Sequence, residues 1–413
     1  MRGLLNMRPA LPVSIWRTSL FETLNAMQPD AILVLIGEHQ NDPRENKMDL
    51  GVGVYRDASG QTPILNVIKK AEKHLVSTQP TKSYLGSGGN QEFNDAIQAV
   101  IFGEGARADK RITTLQTPGG SGSLRVAAGL IMRAKPDAVM WASDPTWSNH
   151  IPLLGSAGLE LNSYPYYDAE QKDIRFDEML KILNNVPSGD IVLLHGCCHN
   201  PTGLDLSRDQ WQAVADLVVA RDLVPYIDIA YQGFADGLEE DAYAVRLMSE
   251  HVPEMIVSSS CSKNFGLYRD RVGSLSILAR DGSTSANLRS QALNIVRTMY
   301  SMPPDHGAAV VSHVLNNPDL RKEWLAELAG MRERLKEVRA LLGAALREKA
   351  PDHDFSHIER ANGMFCFVGI SPQQVERLKS DAGVYMVNSS RINVAGITRD
   401  NVEHLASSIA AVL

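Results

Sequence analysis

At 413 residues, with 44% hydrophobic and 22% charged side chains, the chain has an ordinary globular composition and length enough for a large core and two domains. A formal net charge of -7 offers no basic surface for nucleic acid, and no apolar run reaches the roughly 18 residues that a membrane span requires. The four cysteines, two of them adjacent at Cys197 and Cys198, suit neither a disulfide framework nor a spaced metal site, so a reduced compartment, the cytoplasm, is expected.

Residues 1–29 read as an N-terminal extension and arm. Arg2, Arg8 and Arg17 precede the first acid, Glu22, a bias shared with transit peptides, but Pro9 and Pro12 interrupt any amphipathic helix. Regular patterning starts close to Met27. Residues 117–128, where Gly119, Gly120, Ser121 and Gly122 precede Leu124 and Val126, read as a glycine-rich turn running into a helix. From about Ala138 short apolar runs alternate with amphipathic segments, the pattern of a mostly parallel sheet flanked by helices. Residues 139–142, 191–195, 224–229, 255–259 and 272–278 read as strands. Ser207 caps a helix whose Trp211, Val214, Ala215 and Val218 recur on one face, and a further helix is expected near residues 241–250. In open α/β sheets, ligands bind outside the carboxyl ends of the strands, which is where Asn200, Asp228 and Lys263 would project. Beyond Pro304, Leu320, Trp324, Leu328, Met331, Leu335, Val338 and Leu342 follow helical spacing and predict one long helix. It leads to a smaller C-terminal unit in which residues 364–368 and 391–395 read as strands.

Residues 258–267 place Ser258, Ser259, Ser260 and Ser262 around Lys263 directly after a strand, with Arg271 close behind. A lysine amine condenses with an aldehyde only if it can lose its proton near neutral pH, and burial beside a positive group lowers its pKa enough for that. Ser260 and Arg271 are the donors a dianionic phosphate needs, with the planar guanidinium able to make two parallel hydrogen bonds. The glycine-rich turn opens a helix N-terminus, which also favours phosphate, but it lacks both the Gly-Lys-Ser/Thr ending of a nucleotide loop and the dinucleotide spacing. No metal is expected at Cys197, Cys198 and His199, because neighbours on an extended chain point in opposite directions.

The lysine segment, residues 195–203 (His-Gly-Cys-Cys-His-Asn-Pro-Thr-Gly) and residues 228–234 (Asp-Ile-Ala-Tyr-Gln-Gly-Phe) resemble the class I aspartate and aromatic amino acid aminotransferases. The likeness runs from Pro29 and Asp30 through residues 50–55 and 84–86 to residues 393–396. It implies a fold-type I α/β transferase dependent on pyridoxal 5'-phosphate. A large cofactor-binding domain would span residues 63–330, and a smaller α+β domain residues 30–62 plus 331–413.

By that resemblance Lys263 holds the cofactor covalently and moves the proton at the substrate's α-carbon, while Asp228 pairs with the pyridinium nitrogen. His150 supports Asp228, Asn200 and Tyr231 face the phenolic oxygen, and Trp147 stacks on the ring. Gly120, Ser121, Ser260 and Arg271 hold the phosphate, with Tyr84 reaching in from a second subunit of a homodimer with shared sites. Arg391 takes the α-carboxylate, with Gly53 beside it, and Arg297 takes the distal carboxylate from across the dimer. Paired arginines imply dicarboxylic substrates, with 2-oxoglutarate as amino acceptor in alternating half-reactions. Ser83, Ser121 and Met302 differ from the residues expected in strict aspartate enzymes, which favours an enzyme that also accepts phenylalanine, tyrosine or tryptophan. A β-lyase or decarboxylase on the same fold would not need both arginines, and a non-catalytic descendant would not need Lys263 and Asp228.

Overall fold

A computed structural model describes residues 20–27 and 29–413. The expectations for Arg2, Arg8, Pro9, Pro12 and Arg17 lie outside the described residues.

Seven strands build the central sheet: β1 (Ile112–Pro118), β2 (Val139–Asp144), β3 (Glu160–Pro165), β4 (Ile191–His195), β5 (Val224–Ile229), β6 (Met255–Ser260) and β7 (Val272–Leu278). Their order in space is β1-β7-β6-β5-β4-β2-β3. Only β7 runs antiparallel to its neighbours, β1 and β6, and the other pairs are parallel. The α/β, mostly parallel reading therefore holds. Helices cover both faces, so β6 and β7 are buried at every residue. That is why they appear in the sequence as continuous apolar or small-residue runs rather than alternating ones.

The sheet starts earlier than Ala138, because β1 precedes the glycine-rich turn. Its side chains Thr113, Thr114, Gln116 and Thr117 are polar yet buried, and Thr114 Oγ1 meets Ser276 Oγ of β7 at 2.9 Å. Hydrogen bonding across the strands replaces the apolar pattern that would have marked a strand. Strand β3, at the other edge, was also not legible, being largely exposed.

Local signals match their elements. Ser207 and Gln210 form a reciprocal capping box at 3.2 and 2.9 Å, and the helix Arg208–Arg221 buries the predicted face of Trp211, Val214, Ala215 and Val218. The helix Pro318–Lys349 runs 32 residues, starts with Pro318 behind an Asn317 cap, and buries Trp324, Leu328, Met331, Leu335, Val338 and Leu342. Each such side chain contributes roughly 1.5–3 kcal/mol of burial. The C-terminal helix Val402–Val412 packs on it.

Further pairings lie outside the central sheet, and one of them joins an early segment to a late one. Met48–Asp49 pairs in parallel with Val384–Tyr385, and Phe365–Phe367 pairs antiparallel with Arg391–Asn393. Among the described residues no helix is long and apolar enough to cross a membrane.

Candidate active site

The carboxyl ends of β4, β5 and β6 stand side by side, with His195 level with Asp228 and Asp228 level with Ser258. The turns beyond them carry Asn200, Tyr231 and Lys263 into one cavity of about 250 Å³. Gly53, Gly120, Ser121, Trp147, Ser260, Arg271 and Arg391 line the same cavity. Residues spread over more than three hundred positions of sequence are thus brought together by the sheet.

Lys263 is half-buried, and its Nζ lies 4.7 Å from the centre of the Tyr231 ring. Burial, partly offset by Asp228 and reinforced by Arg271, pushes its pKa down to about 8. An amine of this kind is available as a nucleophile and as a base close to neutral pH. Asp228 is buried, and its Oδ2 meets His150 Nε2 at 3.0 Å. Burial pushes the carboxyl up, but the His150 hydrogen bond, with the Coulombic pull of His150 and Lys263, outweighs it and holds Asp228 below the ordinary carboxylate range. His150 stands behind the cavity wall and touches Asp228, as expected of a supporting group. The chain of contacts continues: His150 Nδ1 meets Thr146 Oγ1 at 2.8 Å, and Thr146 Oγ1 meets His195 Nε2 at 3.1 Å. Burial and the neighbouring His150 push His195 down to about 3, so this end of the chain is a neutral ring.

At one end of the cavity the helix Gly119–Ala134 points its N-terminus at Ser260, Ser262 and Arg271. Gly119 has φ +69, and a Cβ there would fall 2.4 Å from Arg271 Nη2. Only glycine lets the guanidinium lie against the opening turn of that helix. Arg271 itself is held in the left-handed region at φ 54, and its Nη1 donates to Ser262 Oγ and to Tyr268 O, both at 3.2 Å. Ser260 Oγ is 3.0 Å from Ser262 Oγ. Helix N-terminus, hydroxyls and guanidinium together form a cradle for an anion.

At another edge Arg391 is 7% exposed, donates through Nη2 to Gly51 O at 2.7 Å, and lies 4.5 Å from the Phe365 ring centre. Its Nε, like Asn200 Oδ1, is buried without a hydrogen-bond partner. Such groups are rare in a finished interior and point to a ligand that completes them.

Two expected residues lie elsewhere. Tyr84 is 94% exposed, and Arg297 sits exposed at the end of the helix Gly282–Met299, donating to Ser301 Oγ. Neither lines the cavity of its own chain. Of the three residues read for substrate breadth, Ser121 lines the cavity, while Ser83 and Met302 line a separate surface hollow together with Tyr84.

Sequence reasoning gave no site role to Ser262, Tyr268, Cys197 or Phe365, which also line the cavity, or to Thr146 behind it. Ser262 was recoverable from its place beside Lys263. Phe365 was not, since it arrives through a tertiary contact. The reading of the vicinal cysteines needs correction. Cys198 is in the left-handed region at φ 51, so the chain is not extended there, and both thiols lie within 4.8 Å of each other and of an Asp241 oxygen. Asp241 already accepts backbone N–H groups from Gly233, Ala235, Asp236 and Gly237, at 2.7, 3.0, 2.9 and 3.3 Å, which makes it an organiser of its own loop.

The pattern of the family "Aminotransferase class I and II" matches residues 45–409. Escherichia coli aspartate aminotransferase is 47% identical over 396 residues, covering 95% of this chain and 100% of that protein. The aromatic-amino-acid aminotransferase of Pseudomonas aeruginosa is 46% identical over 396 residues, covering 95% of this chain and 99% of the relative. Among solved structures, the aromatic-amino-acid aminotransferase of Burkholderia pseudomallei, covalently bound to pyridoxal phosphate, superimposes with a TM-score of 0.94 at 42% identity, covering 96% of this chain and 100% of that one. The fold-type I architecture expected from the motifs is the one these relatives share. A half-buried lysine with a lowered pKa, a carboxylate held ionised and an anion cradle, in a chain matched to such relatives almost end to end, place this protein among the class I and II aminotransferases.

Proposed function

We propose that this enzyme uses pyridoxal 5'-phosphate to exchange the amino group of aspartate and of aromatic amino acids with 2-oxoglutarate. The observation that carries the reading is the placement of Lys263, Asp228, the cradle of Ser260 and Arg271, and Arg391 around one cavity. The residues fit the cofactor. A phosphate matches the cradle, Asp228 offers an ionised carboxylate for a protonated ring nitrogen, and Asn200 Oδ1 awaits a partner. When bound, the cofactor supplies an aldehyde carbon and an electron-accepting ring. Lys263 would hold that carbon through Nζ, and the freed Nζ would carry the proton from the substrate's α-carbon to the cofactor's aldehyde carbon. Asn200 and Tyr231 would hold the cofactor's phenolic oxygen, and Trp147, lining the same cavity, would pack against the ring. Arg391 fixes the α-carboxylate, beside Gly53, and so decides which bond of the α-carbon points at Nζ.

Tyr84 and Arg297 serve the site of a second subunit in this reading, which makes the active unit a homodimer with shared sites. Both are exposed and neither lines the cavity of its own chain, which supports it. The smaller domain consists of residues 30–62 and 331–413 and the larger of residues 63–330. Pairing of Met48–Asp49 with Val384–Tyr385 supports that division. Breadth towards phenylalanine, tyrosine and tryptophan rests on Ser83, Ser121 and Met302, and relatives of both specificities match this chain to similar extents.

The test is spectroscopic. Amino acid alone converts the bound cofactor to its amine form, and 2-oxoglutarate restores it. Release of the side chain or of carbon dioxide instead would show a different reaction. Turnover of aspartate with no measurable rate on phenylalanine or tyrosine would remove the aromatic part.

A further inference from the structure

Arg339 lies on the helix Pro318–Lys349, is 2% exposed, and pairs with no carboxylate among the described residues. Its Nη1 donates to Ile358 O at 3.0 Å, and its Nη2 to Asn362 O, Gly363 O and Phe365 O at 3.2, 2.9 and 2.8 Å. A buried cation without a counter-ion is costly, so a position that needed only filling would favour an apolar side chain. What the guanidinium adds is convergence: one rigid, planar donor gathers four carbonyls and fixes the backbone of residues 358–365.

The end of that segment is Phe365. Its ring lies 4.5 Å from the Arg391 guanidinium and stands edge-on to Tyr231 at 6.0 Å, and a Cβ on Gly53 would approach it to 3.1 Å. The segment's other side is pinned to the turn that carries Asn200. Asn362 N donates to Gly203 O at 2.6 Å, and Asn362 Nδ2 donates to Asp205 Oδ2 at 3.1 Å. Gly203 has φ +73, and a Cβ there would fall 2.2 Å from Phe365 O. The same long helix, about four turns earlier, grips the lysine turn: Trp324 Nε1 donates to Asn264 O at 2.8 Å, and Phe265 stacks on Trp324 at 4.3 Å.

We infer that Arg339 is a positioning residue for substrate specificity: it seats Phe365 against Arg391 and so sets the carboxylate site at a fixed distance from the Lys263 turn. The inference rests on Arg391 holding the substrate carboxylate.

The test uses full-length holoenzyme with Arg339→Lys, which keeps the charge but presents its donors from a single nitrogen. Succinate, a non-reactive dicarboxylate, is titrated by its effect on cofactor absorbance, alongside steady-state kinetics with aspartate and cofactor affinity of the cofactor-free protein. The succinate Kd and the aspartate KM are expected to rise about tenfold, with kcat and cofactor affinity within about twofold of the parent. In a Phe365→Ala background the same change is expected to add less than about twofold, because both act through one contact. An unchanged succinate Kd, or full additivity with Phe365→Ala, overturns the proposal. If Arg339→Lys yields no folded holoenzyme, Asn362→Ala loosens the same segment from the Asp205 side, and a succinate Kd about threefold higher supports the proposal while an unchanged one overturns it. Arg391→Lys separates the two readings. If it leaves succinate binding intact, the carboxylate role of Arg391 itself fails; if it weakens binding and Arg339→Lys does not, only the present inference fails.

Discussion

Asp228 and His150 are paired through Oδ2 and Nε2 at 3.0 Å, and both are buried. Burial by itself favours a neutral carboxyl, so the ionised state depends on the ring beside it. His150→Phe removes that support, and the Asp228 pKa is expected to climb. Because activity requires the ionised carboxylate, the acid limb of the half-reaction's pH profile is expected to move to higher pH. Half-reaction rates across the acid range check this, and a limb that stays in place would disconnect the histidine from the carboxylate.

Removing the carboxylate is more severe than weakening its support. Asp228→Ala deletes the charge that a protonated ring nitrogen would face, and losing one preorganised electrostatic group of this kind costs roughly 10²–10³-fold in rate. Asp228→Glu keeps the charge and is expected to retain more activity than Asp228→Ala. Single-turnover kinetics decide between them. Equal activity of Asp228→Ala and parent would exclude the electrostatic role.

The lysine carries its own signature. Its pKa is pushed down to about 8, chiefly by burial, so the neutral amine dominates above that pH and falls to about one molecule in a hundred two units below. In the cofactor-free protein, reaction of Lys263 with an aldehyde is therefore expected to rise with pH and level off above about 8. Exposed lysines follow a midpoint near about 10.4. Peptide mapping after borohydride trapping at a series of pH values reads this directly. A Lys263 midpoint equal to that of the surface lysines would mean that the amine's pKa is not lowered as described.

Much of this was legible in the chain itself, for physical reasons that differ between residues. Strands β5 and β7 match the expected runs end for end, because buried strands require continuous small or apolar residues. Lys263, Asp228 and Asn200 were legible because each lies at or just beyond the carboxyl end of a strand and belongs to a local motif. Strand β1 was not, since its buried threonines and glutamine are satisfied by hydrogen bonds. Phe365 and Arg339 were not either. Their importance comes from contacts between distant segments, and no periodicity or neighbouring residue announces a guanidinium that collects four carbonyls. Cys198 misled for a third reason: a left-handed residue in the middle of a motif breaks the assumption of an extended chain.

Arg297 separates the two kinds of substrate. In the dimer proposed here its guanidinium meets the distal carboxylate of a dicarboxylic substrate, while an aromatic ring needs no such partner. Arg297→Ala is expected to lower kcat/KM for aspartate by roughly 10²-fold, the scale on which truncating one partner of a hydrogen-bonded charge pair weakens binding. For phenylalanine the change is expected to be less than about threefold. Equal losses on both substrates would contradict the role.

Sharing of sites between subunits can be separated from any effect on folding by complementation. Lys263→Ala kills the site of its own chain, whereas Arg297→Ala, if the arginine reaches across, damages the site of its partner. When the two variants are unfolded together and refolded, half of the dimers carry one of each chain. In those mixed dimers, the site that retains Lys263 receives an intact Arg297 from the other subunit, and the second site has lost both. Aspartate turnover is therefore expected to recover to about a quarter of the parent level per chain. An arginine acting within its own chain would give no intact site in the mixture, and recovery would stay at the sum of the two inactive parents.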